Sequence, residues 1–177
     1  MQYITHYESP IGDILLAADK IGLTGLWFEG GKYYADHLDP EHEEKDTSIL
    51  EQTKEWLEIY FSGREPQFYP PVHMIGTPFR LSVWKILQKI PYGKTVTYGE
   101  ISKEIAAQKG LSQMSAQAVG GAVGHNEISI IIPCHRVVGA NGSLTGYAGG
   151  IDKKITLLKL EGAFQEAYFV PKHSTAP

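Results

Sequence analysis

The chain has 177 residues, 42% hydrophobic and 20% charged, with a net charge of −4, a composition that suits one domain or two small ones around an ordinary core. Its single cysteine, Cys134, excludes an intramolecular disulfide and a CxxC metal site. No apolar run approaches the roughly 20 residues that cross a bilayer, so no membrane partner is expected. The charge is uneven. Residues 1–77 carry 5 Lys/Arg and 14 Asp/Glu, whereas residues 78–161 carry 10 Lys/Arg and 5 Asp/Glu. An acidic half thus precedes a half able to face phosphates. Met1-Gln2-Tyr3-Ile4-Thr5-His6 lacks the basic and apolar regions of a secretion signal, and a reduced, cytoplasmic setting is the expectation.

In chain order, Gln2–Glu8 and Asp13–Ala18 flank the turn-forming Ser9-Pro10-Ile11-Gly12, and Leu23–Phe28 is a third short strand. A small antiparallel sheet is expected there. The acidic, polar stretch from Asp36 to Asp46 reads as a loop. Ile49, Leu50, Thr53, Trp56, Leu57, Tyr60 and Phe61 then fall on one helical face, with Ser48 or Thr47 as cap and Gly63 beyond the end. Pro66, Pro70 and Pro71 interrupt the chain, and the domain boundary is placed there. Domains are expected over 1–75 and 76–165, with a partly ordered tail over 166–177.

Thr77-Pro78 is an N-cap followed by proline at the first helical position. Phe79, Val83, Leu87 and Ile90 mark the buried face of that helix. Thr97–Ala107 and Ser115–Gly124 are two further helices across the polar connection Gln108–Met114, a helix-turn-helix candidate. The last of these is rich in glycine and alanine. Its small side chains permit close approach of another backbone, either a protein helix or a nucleic-acid groove. Leu144–Gly150 is a glycine-rich loop holding Tyr147, without phosphate-loop spacing. Ile151–Glu161 forms a last helix, with Ile155, Leu157 and Leu158 inward.

Cys134 follows the strand-like run Ile130-Ile131-Ile132 and Pro133, which ends ladder pairing. It is either a small buried hydrophobe or a nucleophile presented at the end of a rigid element. A free thiol has a pKa near ~8.5 and needs a base or a positive environment to react at neutral pH. His135 is adjacent, although neighbours on an extended segment point opposite ways. A carboxylate could fix the imidazole tautomer, with Glu161, Asp152 and Glu127 all candidates on spacing.

Pro133-Cys134-His135-Arg136-Val137-Val138 resembles the signature of the O6-alkylguanine-DNA alkyltransferases, the methylated-DNA–protein-cysteine methyltransferases. Val83-Trp84, Pro91-Tyr92-Gly93, Thr97-Tyr98-Gly99-Glu100-Ile101, Ala118-Val119-Gly120-Gly121-Ala122, His125-Asn126, Gly146-Tyr147-Ala148-Gly149-Gly150 and Glu161-Gly162 fall in the family's order. The resemblance is strong from Phe79 to Gly162 and looser over residues 1–75. It implies an α+β fold: a small N-terminal antiparallel sheet with a helix, RNase H-like, then a mostly helical C-terminal domain with a winged-helix-like helix-turn-helix.

The resemblance also implies direct-reversal repair. Cys134 accepts the alkyl group once and for all, so the protein is consumed and needs no cofactor. His135 takes the thiol proton through water, Glu161 orients His135, and Asn126 braces the turn. Tyr98 helps rotate the base and protonates the departing guanine. Thr97, Tyr98, Ala116, Gln117, Ala118, Gly120 and Arg136 face the DNA. Val123, Val137, Tyr147, Ala148 and Gly149 line the base pocket, with the backbone near Val137 donating to the guanine oxygen. The partner is double-stranded DNA holding O6-alkylguanine, with O4-alkylthymine left open as a second substrate, and the protein is taken as a monomer.

Gln117 stands where the family commonly has an arginine that replaces the flipped base. No second cysteine exists for the family's occasional zinc site, so no metal is expected. The competing functions are a cysteine hydrolase using Cys134 and His135, and a non-reactive binder of alkylated bases.

Overall fold

The computed structural model describes residues 1–172; the end of the expected tail, 173–177, lies outside the described residues. The chain forms two compact units. Of the described residues, the first holds 1–75 together with Glu127–Ile131, and the second holds 76–126 and 132–172.

In the first unit, β1 (Gln2–Ser9), β2 (Gly12–Ala18) and β3 (Leu23–Phe28) form an antiparallel meander. Its hairpin register runs from Tyr3 opposite Ala18 to Ser9 opposite Gly12. The segment from Asp36 to Asp46, read as a loop, contains a fourth strand, β4 (His42–Glu44), which pairs parallel to β1. The sheet order is β3-β2-β1-β4, so the sheet is mixed. His42, Glu43 and Glu44 are all exposed. This edge strand is held by its main chain and carries no apolar alternation to reveal it.

From Ile14 onward β2 is buried throughout, and so is all of β3, the pattern of strands covered on both faces. Leu15, Ala17 and Trp27 cluster on one face. Helix α1 (Ser48–Phe61) packs on the sheet through Leu50, Trp56, Leu57 and Tyr60, each burial stabilising by roughly 1.5–3 kcal/mol. Thr47 caps it, its hydroxyl accepting from Leu50 N.

The outer edge of β3 is not left open. Leu23 N donates to Pro71 O at 2.8 Å and His73 N to Leu23 O at 2.8 Å. Farther along, Leu26 N donates to Glu127 O at 2.9 Å and Ser129 N to Leu26 O at 3.1 Å. Two short returns of the chain thus occupy donors and acceptors that would otherwise recruit another strand. Gly22 is required at the first crossing, because a Cβ there would stand 2.7 Å from the main-chain carbon of Val72.

The second unit contains α2 (Pro78–Leu87), β5 (Val96–Thr97), α3 (Tyr98–Lys109), α4 (Ala116–Gly124), β6 (Val137–Val138) and α5 (Ile151–Leu160). Thr77, Thr97 and Ser115 cap α2, α3 and α4 by accepting from Arg80 N, Glu100 N and Ala118 N. Each cap is worth about 1 kcal/mol. Gly110, at φ 66°, ends α3 in the left-handed conformation. Val83, Trp84, Ile86 and Leu87 are the buried side of α2, while Phe79 is only half-buried. The Trp84 indole donates to Ala122 O at 2.8 Å and joins α2 to α4. Near the C-terminus, Phe169 exchanges main-chain bonds with Gly142 and Leu144, so the first part of the expected tail is paired. Among the described residues no helix is long and apolar enough to cross a membrane.

The run before Cys134 is not a strand. Residues 129–131 form a turn, with Ile130 at φ 70°. A β-branched residue in that region costs about 1–3 kcal/mol and persists only where its surroundings over-determine it. The run is apolar because it is buried, not because it belongs to a ladder.

Candidate active site

Cys134–Arg136 form one turn of 3-10 helix directly after Pro133. Cys134 N donates to Ile132 O at 2.8 Å and Arg136 N to Pro133 O at 3.0 Å. Three residues per turn rotate successive side chains by about 120°, so Cys134, His135 and Arg136 splay into different surroundings. Asn126 Nδ2 donates to Ile132 O at 2.8 Å, bracing this turn from the end of α4, and Asn126 also hydrogen-bonds the thiol.

His135 is fully buried. Its Nε2 lies 2.6 Å from Glu161 Oε2. A carboxylate only accepts, so Nε2 carries the proton and Nδ1 holds the lone pair. Nδ1 is buried and has no hydrogen-bond partner among the described residues. Burial lowers the imidazole pKa against the pull of Glu161, so His135 is neutral at pH 7. Glu161 also accepts from Arg136 Nε at 2.8 Å, from Arg136 Nη2 at 3.1 Å and from Gly93 N at 3.2 Å. Burial opposes its charge, but His135 and Arg136 together hold the carboxyl well below the usual range. Of the three candidate carboxylates, Glu161 alone meets His135. Asp152 is exposed in the first turn of α5, and the Glu127 carboxylate is taken by the Trp27 indole at 2.7 Å and by His37 Nδ1 at 2.6 Å.

Arg136 corrects an expectation. It is 4% exposed, its Nη1 donates to Ile90 O at 2.7 Å, and its guanidinium lies over the Tyr92 ring. Its donors are committed inward, so it does not face DNA. Lys154, which the sequence did not single out, is fully buried. Its ammonium donates to Val137 O at 2.7 Å and to Gly146 O at 2.9 Å, tying the chain after the cysteine to the Tyr147 loop. Burial lowers its pKa to about 8, against the attraction of Cys134. Burial pushes the Cys134 thiol up, while Asn126 and Lys154 pull the other way.

Cys134 is 6% exposed and opens onto a pocket lined by Tyr98, Val123, Gly124, Gly146, Tyr147 and Ala148. The expected lining residues Val137 and Gly149 are not part of that wall. The main chain of Val137 is also spent, its N–H on Cys134 O and its carbonyl on Lys154, so it cannot donate to a ligand. Burial raises the Tyr98 pKa, and its phenol stays protonated at neutral pH. On α4, Ala116, Gln117 and Ala118 are exposed. A Cβ added at Gly120 would meet nothing within 4 Å, so internal packing does not demand glycine there. Thr97 caps α3 directly before Tyr98.

A buried thiol with its own histidine–carboxylate pair, opening beneath two tyrosines in a helical domain, defines a cysteine-dependent protein in two units. Residues 2–73 match the ribonuclease-like domain of 6-O-methylguanine DNA methyltransferase, and residues 78–163 match its DNA binding domain. The chain belongs to this methyltransferase family. It is 47% identical to the methylated-DNA–protein-cysteine methyltransferase of Methanosarcina acetivorans over 91% of this chain and 99% of that protein. With the Mycobacterium bovis enzyme of the same name it shares 43% identity, covering 88% of this chain and 92% of the relative. The crystal structure of Mycobacterium tuberculosis OGT in complex with DNA is similar at TM-score 0.78 and 40% identity, over 91% and 93% of the two chains.

Proposed function

We propose that this chain repairs O6-alkylguanine in double-stranded DNA by moving the alkyl group onto Cys134. The buried line Cys134–His135–Glu161 beneath the Tyr98–Tyr147 pocket carries this reading. The thiol proton passes to His135 Nδ1 through a water, a route the unpartnered lone pair supports. The sulfur then attacks the alkyl carbon, a C–S bond forms and the C–O6 bond breaks. The electron pair stays with guanine, which takes a proton from the Tyr98 hydroxyl. Glu161 fixes the tautomer and stabilises the imidazolium, and Asn126 holds the turn. The product is a thioether, so each molecule acts once, in the cytoplasm and without a cofactor.

The target base lies inside the duplex and must be flipped out. The free space in the pocket is about 10 Å³, enough for roughly one water and no purine. The Gly146–Ala148 wall therefore moves outward as the base enters. We assign α3 and α4 as a helix-turn-helix beside the β5–β6 pair, winged-helix-like, with the first unit RNase H-like. The exposed Ala116, Gln117 and Ala118 and the half-buried Gly120 enter the minor groove, whose readout is degenerate and suits a protein that meets lesions in any sequence. Thr97 and Tyr98 contact the backbone, and the chain acts as a monomer. With duplex in excess over protein, loss of O6-methylguanine is expected to stop at one lesion per chain. Continued turnover would point to a hydrolase instead, and binding without lesion loss to a passive binder.

Gln117 can hydrogen-bond to the orphaned partner base, but it lacks the cation and planar face of arginine. Gln117→Arg is therefore expected to tighten duplex binding by about fivefold, since one added cation in the field of the phosphates is worth on the order of 1 kcal/mol. The single-turnover rate at subsaturating DNA should rise with it. Titration of a fluorescent duplex at fixed salt checks this, and an unchanged affinity removes Gln117 from the role of base replacement.

A further inference from the structure

Lys154 carries a charge into the interior and meets no carboxylate there. The side chain is fully buried at the start of α5. An ammonium has three donors. Val137 O and Gly146 O take two of them, at 2.7 and 2.9 Å, and no carboxylate among the described residues pairs with it. A buried cation held only by neutral carbonyls is costly, and a methionine would fill the same space without that cost. The position of the charge points to its use. Val137 comes directly after the Cys134 turn, and its N–H is bonded to Cys134 O. Gly146 lines the same pocket as Cys134. The two carbonyls thus fix the ammonium between the two stretches of chain that flank the sulfur.

We infer that Lys154 supplies the counter-charge of the Cys134 thiolate, as a positioning residue that acts through the sulfur and is itself held by two main-chain carbonyls. The inference rests on the reading of Cys134 as alkyl acceptor, which it deepens. The other polar groups around the sulfur do not fill that place. Arg136, on the same turn, is spent on Glu161 and Ile90 O. His135 is neutral and keeps its lone pair for the thiol proton. Tyr98, from α3, stays protonated, and Asn126, from the end of α4, gives a hydrogen bond but no charge. Burial pushes the thiol pKa up and the ammonium pKa down, and each charge partly offsets that cost for the other. The same cation opposes an imidazolium on His135, where Glu161, at 2.6 Å, answers it.

The test uses the full chain and Lys154→Gln, whose carboxamide can still donate to a carbonyl but carries no charge. Two rates are measured across neutral and alkaline pH: alkylation of Cys134 by iodoacetamide, which needs no DNA, and single-turnover repair at saturating O6-methylguanine duplex. At pH 7 both should fall about tenfold, the lower end of what losing an opposite charge does to a titrating group. The deficit should close at alkaline pH, because wild-type Lys154 itself loses its proton above about 8. Loss of packing alone would leave a deficit that pH does not touch. A reciprocal measurement needs no change at residue 154. In protein labelled with carbon-13 at lysine Cε, the Lys154 resonance should titrate at lower pH in Cys134→Ser than in the wild type, since the coupling of two sites is mutual. A wild-type iodoacetamide rate in Lys154→Gln at pH 7 overturns the inference. So does a deficit equal at neutral and alkaline pH, or a Lys154 midpoint that is the same with and without the sulfur. A wild-type chain that reacts with iodoacetamide but leaves the lesion intact overturns the functional reading alone, and the counter-charge is then judged on the iodoacetamide rates and the lysine resonance.

Discussion

Cys134→Ser is expected to leave the lesion in DNA untouched while the duplex is still bound. The substitution is nearly isosteric, and the turn that carries residue 134 is held by main-chain bonds and by Asn126 on Ile132 O, none of which needs sulfur. The chemistry does need it. A thiol ionises near ~8.5, and its anion is soft and strongly nucleophilic. A serine hydroxyl beside a neutral imidazole lacks both properties toward an alkyl carbon. The single-turnover rate should fall by at least ~10⁴-fold, to the limit of detection, because the nucleophile itself is lost. Gel-shift affinity for the duplex should stay within about twofold, since the groups proposed to face DNA lie on α3 and α4. Measurable repair by the serine variant would place the acceptor elsewhere.

Glu161→Gln is expected to produce the second largest loss, in rate and in stability together. The carboxylate serves His135 and Arg136 at once. A carboxamide can present an N–H to His135 and invert its tautomer, taking the lone pair away from Nδ1. The single-turnover rate should fall by about 10²-fold or more, the usual weight of general base catalysis. Arg136 is left buried without its counter-charge, which should cost about 3 kcal/mol of folding free energy, read as a lower urea midpoint.

The pH profile of stability separates this account from simple loss of packing. Glu161 is held below the ordinary carboxylate range near 4.5, so its contribution is complete above that range and is lost as the pH falls beneath it. Burial depresses His135 below its ordinary 6.5. Below that pH the unfolded chain takes up a proton that the folded chain refuses, and stability falls again with acid. The wild-type urea midpoint should therefore decline below pH 6.5 and more steeply below 4.5. Glu161→Gln should flatten the steeper limb, leaving the part that Asp19 and Asp46, also held low, supply.

The helices were legible because their starts carry chemistry as well as pattern. Thr47, Thr77, Thr97 and Ser115 each accept from an N–H three residues on, and Pro78 fits a first-turn position. The cysteine, histidine and Glu161 were legible through the family motif, and the structure joins His135 to Glu161 and sets Cys134 beside them in the same 3-10 turn. What escaped the sequence did so for physical reasons. Strand β4 is exposed and polar, and main-chain pairing leaves no trace in side-chain periodicity. The isoleucines at 130–132 are apolar because they are buried in a turn, which short apolar runs cannot distinguish from a strand. Arg136 and Lys154 were hidden by a sound prior: cations are almost never fully buried unless paired. Here Arg136 finds a carboxylate and Lys154 two carbonyl oxygens. Glu127 was weighed as a partner for His135 on spacing alone, and Trp27, 100 residues away in the chain, claims it instead.

The central claim is that one sulfur receives the alkyl group and keeps it. Intact-protein mass spectrometry after incubation with an O6-methylguanine duplex tests it most directly. The account predicts that the chain gains the mass of one methyl group, stoichiometric with the lesion lost, and that proteolysis finds it on the peptide bearing Cys134. An unmodified chain beside repaired DNA, or a methyl group on any other residue, would contradict it.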